Sequence, residues 1–254
     1  MSGLSVAIIT YNEEKNIGRC LDSIKDIANE IIVVDSYSDD QTEKICSEYD
    51  VTFLKHPFEG YIEQKNYAVK QTSFPYILSL DADEALSDEL KNSIIKAKKS
   101  WTFDAYSMNR LTNYCGKWIR HGGWYPDRKL RLFHRDAGKW GGINPHDQYI
   151  LKPEKTSQFL KGDLLHYSFY NLQDHLNQIE HFTSIASGSL YENGEKHSYL
   201  KQYLSPVGKF IKDYITKAGF LDGKSGFTIC WLSAKATYIK HSKLRKLYVE
   251  GKAP

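Results

Sequence analysis

A mostly parallel α/β sheet with helices on both faces, followed by a helical, basic C-terminal extension, is the fold class this 254-residue sequence predicts. Three observations carry it. Apolar runs of strand length recur through the first hundred residues, segments with helical apolar spacing separate them, and the runs end in polar residues.

Ser5-Val6-Ala7-Ile8-Ile9 is an unbroken apolar run, the pattern of a strand covered on both faces. Asn12 is placed to cap the next helix, whose Ile17, Cys20, Leu21 and Ile24 share one side. Ile31 to Val34 forms a second strand ending in Asp35. A short helix with Ile45 and Cys46 leads to a strand at 51–54, and a helix over 61–71 leads to the strand Tyr76-Ile77-Leu78-Ser79-Leu80. Ser87 opens a further helix carrying Leu90, Ile94 and Ala97. The segment 104–168, rich in Gly, Trp and His, reads as irregular, the character of a lid or binding loop. A helix over 171–191 stops at Asn193-Gly194. The organisation expected is one domain over 1–168 and a helical extension over 169–254 packed on it.

Composition narrows the function classes. Four dispersed cysteines without a C-x-x-C pair argue for free thiols in a reducing compartment and against a zinc site. No basic leader precedes the first strand and no apolar run is long enough to span a bilayer, so a cytoplasmic protein is expected. The net charge of +3 hides an asymmetry: residues 201–254 hold 11 Lys and Arg against 3 Asp and Glu. That basic stretch, interleaved with aromatic residues, could meet an anionic membrane face or serve as a solvated helix pair covering the core. Nothing else favours a nucleic acid, and none is expected as partner.

In a parallel sheet, ligands bind beyond the carboxyl ends of the strands. Thr10-Tyr11-Asn12-Glu13, Asp35 and Asp81-Ala82-Asp83 should therefore converge at one edge, with Glu84 as a third acid directly after. Crowded carboxylates repel one another unless a cation sits among them, and a D-x-D at a strand end suits Mg²⁺ or Mn²⁺ with room for phosphate oxygens. The chain has neither G-x-G-x-x-G nor a P-loop, which excludes the usual dinucleotide and NTPase readings. A haloacid-dehalogenase-type phosphatase also carries D-x-D, but Ala85 stands where it would place Thr or Val. A glycan-binding protein on a decayed enzyme fold is the reading from another class.

In order and spacing, "SVAIITYNEEKNIGRCLDSI", "EIIVVDSYSDDQTEKI", "EGYIEQKNYA" and "ILSLDADE" resemble glycosyltransferase family 2, the inverting enzymes of GT-A fold with a Rossmann-like sheet. "GGWYPDRKLRLFHRDAGKWGG", "PHD", "LLHYSF" and "GFLDGKSGF" resemble its lipopolysaccharide core β-glucosyltransferase branch. The resemblance implies transfer of a sugar, glucose from UDP-glucose, to a glycan or lipid-linked acceptor, at or near the inner membrane face. It implies that Thr10, Tyr11 and Glu13 line the nucleotide base and ribose, that Asp35 meets the base, that Lys65 sits near the nucleotide, and that Asp81 faces the ribose or metal-bound water. It further implies that Asp83 ligates the metal, with His166 completing the shell. Arg131 would contact diphosphate or acceptor, and Asp147 of the His146-Asp147 pair would be the general base, with Asp127 as competitor. Trp124 and Tyr125 are read either as sugar-stacking or as core residues.

Overall fold

The structure, a computed structural model, describes residues 3–144 and 146–250; Pro145 of the "PHD" segment and Lys252 of the basic stretch lie outside them. Contacts divide the chain into two compact units. One comprises the chain up to Leu111 with Asp127–Tyr167, the other Thr112–Pro126 with the chain from Ser168 onward. The sequence suggests a single division at 168; here the segment 112–126 falls with the C-terminal unit.

In the first unit β1 (Leu4–Thr10), β2 (Glu30–Asp35), β3 (Thr52–Lys55) and β4 (Tyr76–Asp81) pair in parallel, in the order β3-β2-β1-β4. They alternate with α1 (Ile17–Ile24), α2 (Thr42–Cys46) and α3 (Tyr61–Gln71), and α4 (Asp88–Lys98) follows. The two faces of β1 serve two cores. Leu4, Val6 and Ile8 pack with Ile17, Cys20, Leu21 and Ile24 of α1, whereas Ala7 and Ile9 pack with Ala68 of α3. This double coverage is why the strand is apolar at successive positions, each large side chain contributing about 1.5–3 kcal/mol on burial.

The two expected helix starts have different outcomes. Ser87 caps α4, its hydroxyl accepting from the Leu90 N–H at 3.3 Å. Asn12 does not cap α1; Asn16 occupies that position. Asn12 instead takes a left-handed φ of 53° and accepts from the Asp39 N–H at 3.0 Å, joining the loop after β1 to the loop after β2.

The segment expected to be irregular is mostly antiparallel strand. After β5 (Glu84–Leu86) come β6 (Ala105–Tyr114), β7 (Lys117–Trp118), β8 (Asp127–His134), β9 (Gly138–Ile143), β10 (His146–Leu151) and β11 (Ser157–Phe169). The parallel half of the sheet continues through β4-β8-β6-β11-β5, with antiparallel pairing at β4-β8, β8-β6 and β11-β5. Parallel pairing thus joins β3-β2-β1-β4, and antiparallel pairing begins at β8. These later strands lack long apolar runs because antiparallel strands need bury only one face. β9 and β10 form a separate hairpin.

The second unit contains α5 (Leu172–Glu192), α6 (Tyr199–Ile211) and α7 (Gly223–Glu250), with a π-helical turn at Lys212–Thr216 and a 3₁₀ turn at Gly219–Asp222. Asn171 and Asp174 form a capping box on α5. Buried Asp222 explains why 112–126 belongs here. Its Oδ2 accepts from the N–H groups of Arg120 and His121 at 3.1 and 2.8 Å, and its Oδ1 lies 3.1 Å from His121 Nδ1. Trp124 packs among Tyr114, Phe169 and His175, and Arg120 lies over the Tyr125 ring. Burial pushes the His175 imidazole down to about 4. Among the described residues no helix is long and apolar enough to cross a membrane.

Candidate active site

Strand register brings the candidate residues of the first unit together. Thr10 pairs with Asp35 across β1 and β2, and Ile9 pairs with Asp81 across β1 and β4. The three strand ends therefore meet at the carboxyl edge. Tyr11 projects there, largely exposed, while the buried Thr10 hydroxyl has no hydrogen-bond partner among the described residues. Asp35 is fully buried and committed to its own turn: Oδ2 accepts from the Ser38 N–H at 2.8 Å and Oδ1 from the Ser38 hydroxyl.

Three consecutive residues of α3 fasten the site. Gln64 reaches Ser36 and His56, at 3.0 Å from Ser36 Oγ and 2.9 Å from His56 Nδ1. Asn66 exchanges hydrogen bonds with the Trp140 backbone at 3.0 and 3.2 Å. Between them Lys65 points inward, only 2% exposed, with Nζ 2.9 Å from Asp81 Oδ1 and 2.7 Å from Asp147 Oδ2. The tip of the β9-β10 hairpin is held by Asn144, which accepts from the Ile62 N–H and donates to Glu63. The hairpin thereby delivers Asp147 to a lysine 82 positions away in sequence.

Arg131, on β8, is the second buried cation. Its Nη2 donates to Asp81 Oδ2 at 3.0 Å and to Glu84 Oε1 at 2.8 Å, while Nε and Nη1 have no hydrogen-bond partner among the described residues. The Trp140 ring lies under both cations, 4.6 Å from Lys65 Nζ and 5.3 Å from the Arg131 guanidinium carbon. Burial of Asp81 works to raise its pKa, but Lys65 and Arg131 outweigh it and hold the carboxyl well below the usual range. Burial likewise works against the Arg131 charge, and Glu84 and Asp81 override it, so the guanidinium stays protonated.

The three acids of "DADE" divide their work. The sequence groups Glu84 with the cation-facing carboxylates, yet it is fully buried. It accepts from the Asp81 N–H at 3.0 Å and from Arg131, so it organises the strand end. Asp83 and His166 face each other, with Oδ2 and Nε2 3.1 Å apart and both side chains partly exposed. Their backbone is fixed by the Tyr167 N–H donating to the Asp83 carbonyl at 2.9 Å. A carboxylate beside an imidazole is a donor set that Mn²⁺ or Mg²⁺ accepts. Among the described residues no third His, Cys, Asp or Glu completes a ready-made cage, so an ion there would take further oxygens from substrate and water. The pair fits that use.

Asp127 is differently engaged, with Arg110 at 2.9 Å and Lys129 at 3.0 Å. Sequence reasoning missed Trp140, Asn66, Arg110 and Tyr61. The Tyr61 phenol is pushed up by burial and then by the negative charges of Asp81, Asp147 and Asp83. The signal for Asn66 was its place in "QKN"; that for Trp140 was the "KWGG" run.

Glu13 behaves as a sensor of this charge. Burial first, and then Asp83, Asp40 and Asp81, push its carboxyl from 4.5 to about 7, against the lowering influence of Asn16. Because the folded value is raised, the folded state binds the extra proton between the two values, and stability should fall as pH rises from about 4.5 to about 7. Glu13→Gln is expected to lose that slope and to gain on the wild type as pH rises. Chemical denaturation at pH values bracketing the window reads this directly; parallel curves would show that Glu13 does not titrate there.

Residues 5–152 match the family model described as Glycosyl transferase family 2. A Rickettsia typhi protein named an uncharacterized glycosyltransferase is 28% identical over 262 residues, covering 99% of this chain and 90% of its own. The lipopolysaccharide core biosynthesis glycosyltransferase LpsC of Rhizobium meliloti is 25% identical over 252 residues, covering 94% and 93%. Among solved structures, the mannosyltransferase PcManGT of Pyrobaculum calidifontis, in complex with GDP-Man and Mn²⁺, is similar with a TM-score of 0.50 at 16% identity. That likeness covers 99% of this chain and 76% of the other, and it concerns the fold, which is GT-A. With the match spanning more than half of its length, the chain belongs to glycosyl transferase family 2.

Proposed function

We propose that the protein transfers a sugar, glucose from UDP-glucose, with inversion onto a glycan or lipid-linked acceptor of the cell envelope, in lipopolysaccharide core synthesis. The observation that carries this reading is the buried network Asp81-Lys65-Asp147 with Arg131 at the carboxyl edge of the sheet. The likeness to LpsC supports the choice of acceptor class. The protein would work in the cytoplasm at the inner membrane face, with acceptor recognition falling to the 104–168 segment.

Thr10, Tyr11, Glu13 and Asp35 line the nucleotide side in this reading, Tyr11 by stacking and Asp35 by shaping the turn that receives the base. Asp81 and Lys65 orient the ribose and diphosphate, and Arg131 adds positive charge on the diphosphate side. Asp83 and His166 would hold Mg²⁺ or Mn²⁺, which when bound neutralises the departing diphosphate. Asp147 takes the proton of the acceptor hydroxyl. The new bond forms from that oxygen to the anomeric carbon as the bond to the diphosphate breaks on the opposite face.

The test is calorimetry of a nucleotide panel with and without Mn²⁺, for wild type and Asp83→Ala. UDP is expected to bind in a metal-dependent way, and the substitution should weaken that binding by on the order of a hundredfold. Binding that ignores both metal and Asp83 would remove the donor site from this edge.

A further inference from the structure

In the second unit α6 is inside out. Its fully buried side chain is Gln202, hydrogen-bonded to His197 at 2.8 Å, whereas Leu200, Leu204, Val207 and Ile211 are each 50–69% exposed. Those positions recur at helical spacing and form one apolar stripe. Exposed Phe227 and Trp231 of α7 lie 5.8 and 6.3 Å from Phe210 of α6, measured between ring centroids, so the second helix extends the same surface. A groove of about 440 Å³ between the helices is lined by Tyr203, Val207, Phe210, Trp231 and Tyr238, among others, with Lys235 at its side. An apolar face of this extent is uncommon on a chain that meets only water.

The charges decide what covers it. Residues 199–235 carry six lysines, at 201, 209, 212, 217, 224 and 235, and two acids. Both acids are buried: Asp213 is held by Lys209 and Lys217, and Asp222 by the 117–121 segment. Every charge that this stretch presents to its surroundings is therefore positive. A lysine-rich rim around Leu, Val, Ile and Trp is the composition of a surface that lies within the headgroup region of an anionic bilayer. A surface for a second copy or a protein partner would be depleted of lysine as well as of acids, and this face keeps its lysines.

We propose that the α6-α7 face is a membrane-insertion surface, seating Leu200, Leu204, Val207, Ile211 and Trp231 among the acyl chains of an anionic leaflet while the lysines meet its phosphates. This goes beyond general attraction of a basic tail, because it assigns the anchoring to apolar side chains at named positions. It deepens the acceptor reading above, but its test uses neither donor nor acceptor, so either can fail alone.

The test is co-sedimentation of the full chain with vesicles of phosphatidylcholine containing phosphatidylglycerol, and with phosphatidylcholine alone, at low and at molar salt. Binding to the anionic vesicles is expected, with a blue shift of tryptophan emission that Trp231→Phe removes. Leu204→Glu with Val207→Glu should weaken binding at least about tenfold, and Lys212→Ala or Lys224→Ala about fivefold each. All these positions are exposed, and unchanged circular dichroism checks that the variants fold. Absence of vesicle binding overturns the proposal. So does binding that vanishes in molar salt and ignores the glutamate pair, which is adsorption by charge alone. A dimer in solution that the glutamate pair dissociates, without vesicle binding, also overturns it and gives the face to a second copy.

Discussion

Lys65→Met is expected to abolish transfer and to lower the unfolding midpoint of the first unit by roughly 6–20 °C. The reason is a charge count in a buried place. Lys65 and Arg131 are two cations among three carboxylates, those of Asp81, Glu84 and Asp147. Lys65 is the cation shared by Asp81 and Asp147, and it is 2% exposed, so no water can take its place without rearrangement. Removing one partner of such a network costs about 3–5 kcal/mol, because uncompensated charge stays behind. A chain of this size loses about 2–4 °C per kcal/mol.

The pH dependence should change with it. The depressed Asp81 value means that its ionised form contributes stability that is complete above its ordinary value near 3.8 and is lost as pH falls toward the folded value. With Lys65 gone the depression shrinks, so the variant should be weaker at neutral pH and less sensitive to acid. Denaturant titrations of both proteins across the acid range check this. Lys65→Met combined with Asp147→Asn should recover part of the loss, since one of the stranded carboxylates is then neutral. A midpoint that does not move in the single variant would mean that Lys65 is not the shared counter-ion.

The parts of this arrangement that could be read in the sequence are those carried by repeated local signals. Val6, Ile8, Ile32 and Leu78 belong to runs that only a doubly covered strand requires, and the polar residue after each run then marks the sheet edge. Lys65 is legible through the "QKN" triplet, Gln64-Lys65-Asn66. Its two carboxylate partners follow from a helix lying over the strand ends and a hairpin folding back onto that helix. The hairpin is stabilised by Asn144 and Asn66, contacts of 82 and 74 residues' separation that leave no local pattern. Glu84 looked like its neighbours in composition, and only the strand register, which turns it inward toward Arg131, separates its role from that of Asp83. The stripe on α6 has an ambiguity of its own. Helical spacing of apolar residues says that one face is distinct, and it does not say whether protein or another medium covers that face.

Asp147→Asn is expected to lower kcat by about 10²- to 10⁴-fold while leaving nucleotide affinity within a few-fold of wild type. The split follows from which charges remain. The amide keeps the size and can still meet Lys65, and Lys65 keeps Asp81 as its counter-ion, so the substitution strands no cation. Two cations then face two carboxylates, and the proposed donor side, at the β1, β2 and β4 ends, is untouched. In the role proposed for Asp147, what is lost is the acceptor for a proton in the transition state, an effect that appears in kcat and not in ground-state binding. The competing role, Asp147 as mere ballast for Lys65, predicts a different outcome: nucleotide binding and stability would fall together and kcat would follow them. Asp127→Asn supplies the control, because Asp127 is engaged by Arg110 and Lys129 and not by Lys65. Steady-state rates with the product diphosphate monitored, beside calorimetric binding of the same variants, separate the cases. A full rate in Asp147→Asn together with a collapsed rate in Asp127→Asn would transfer the base to the start of β8.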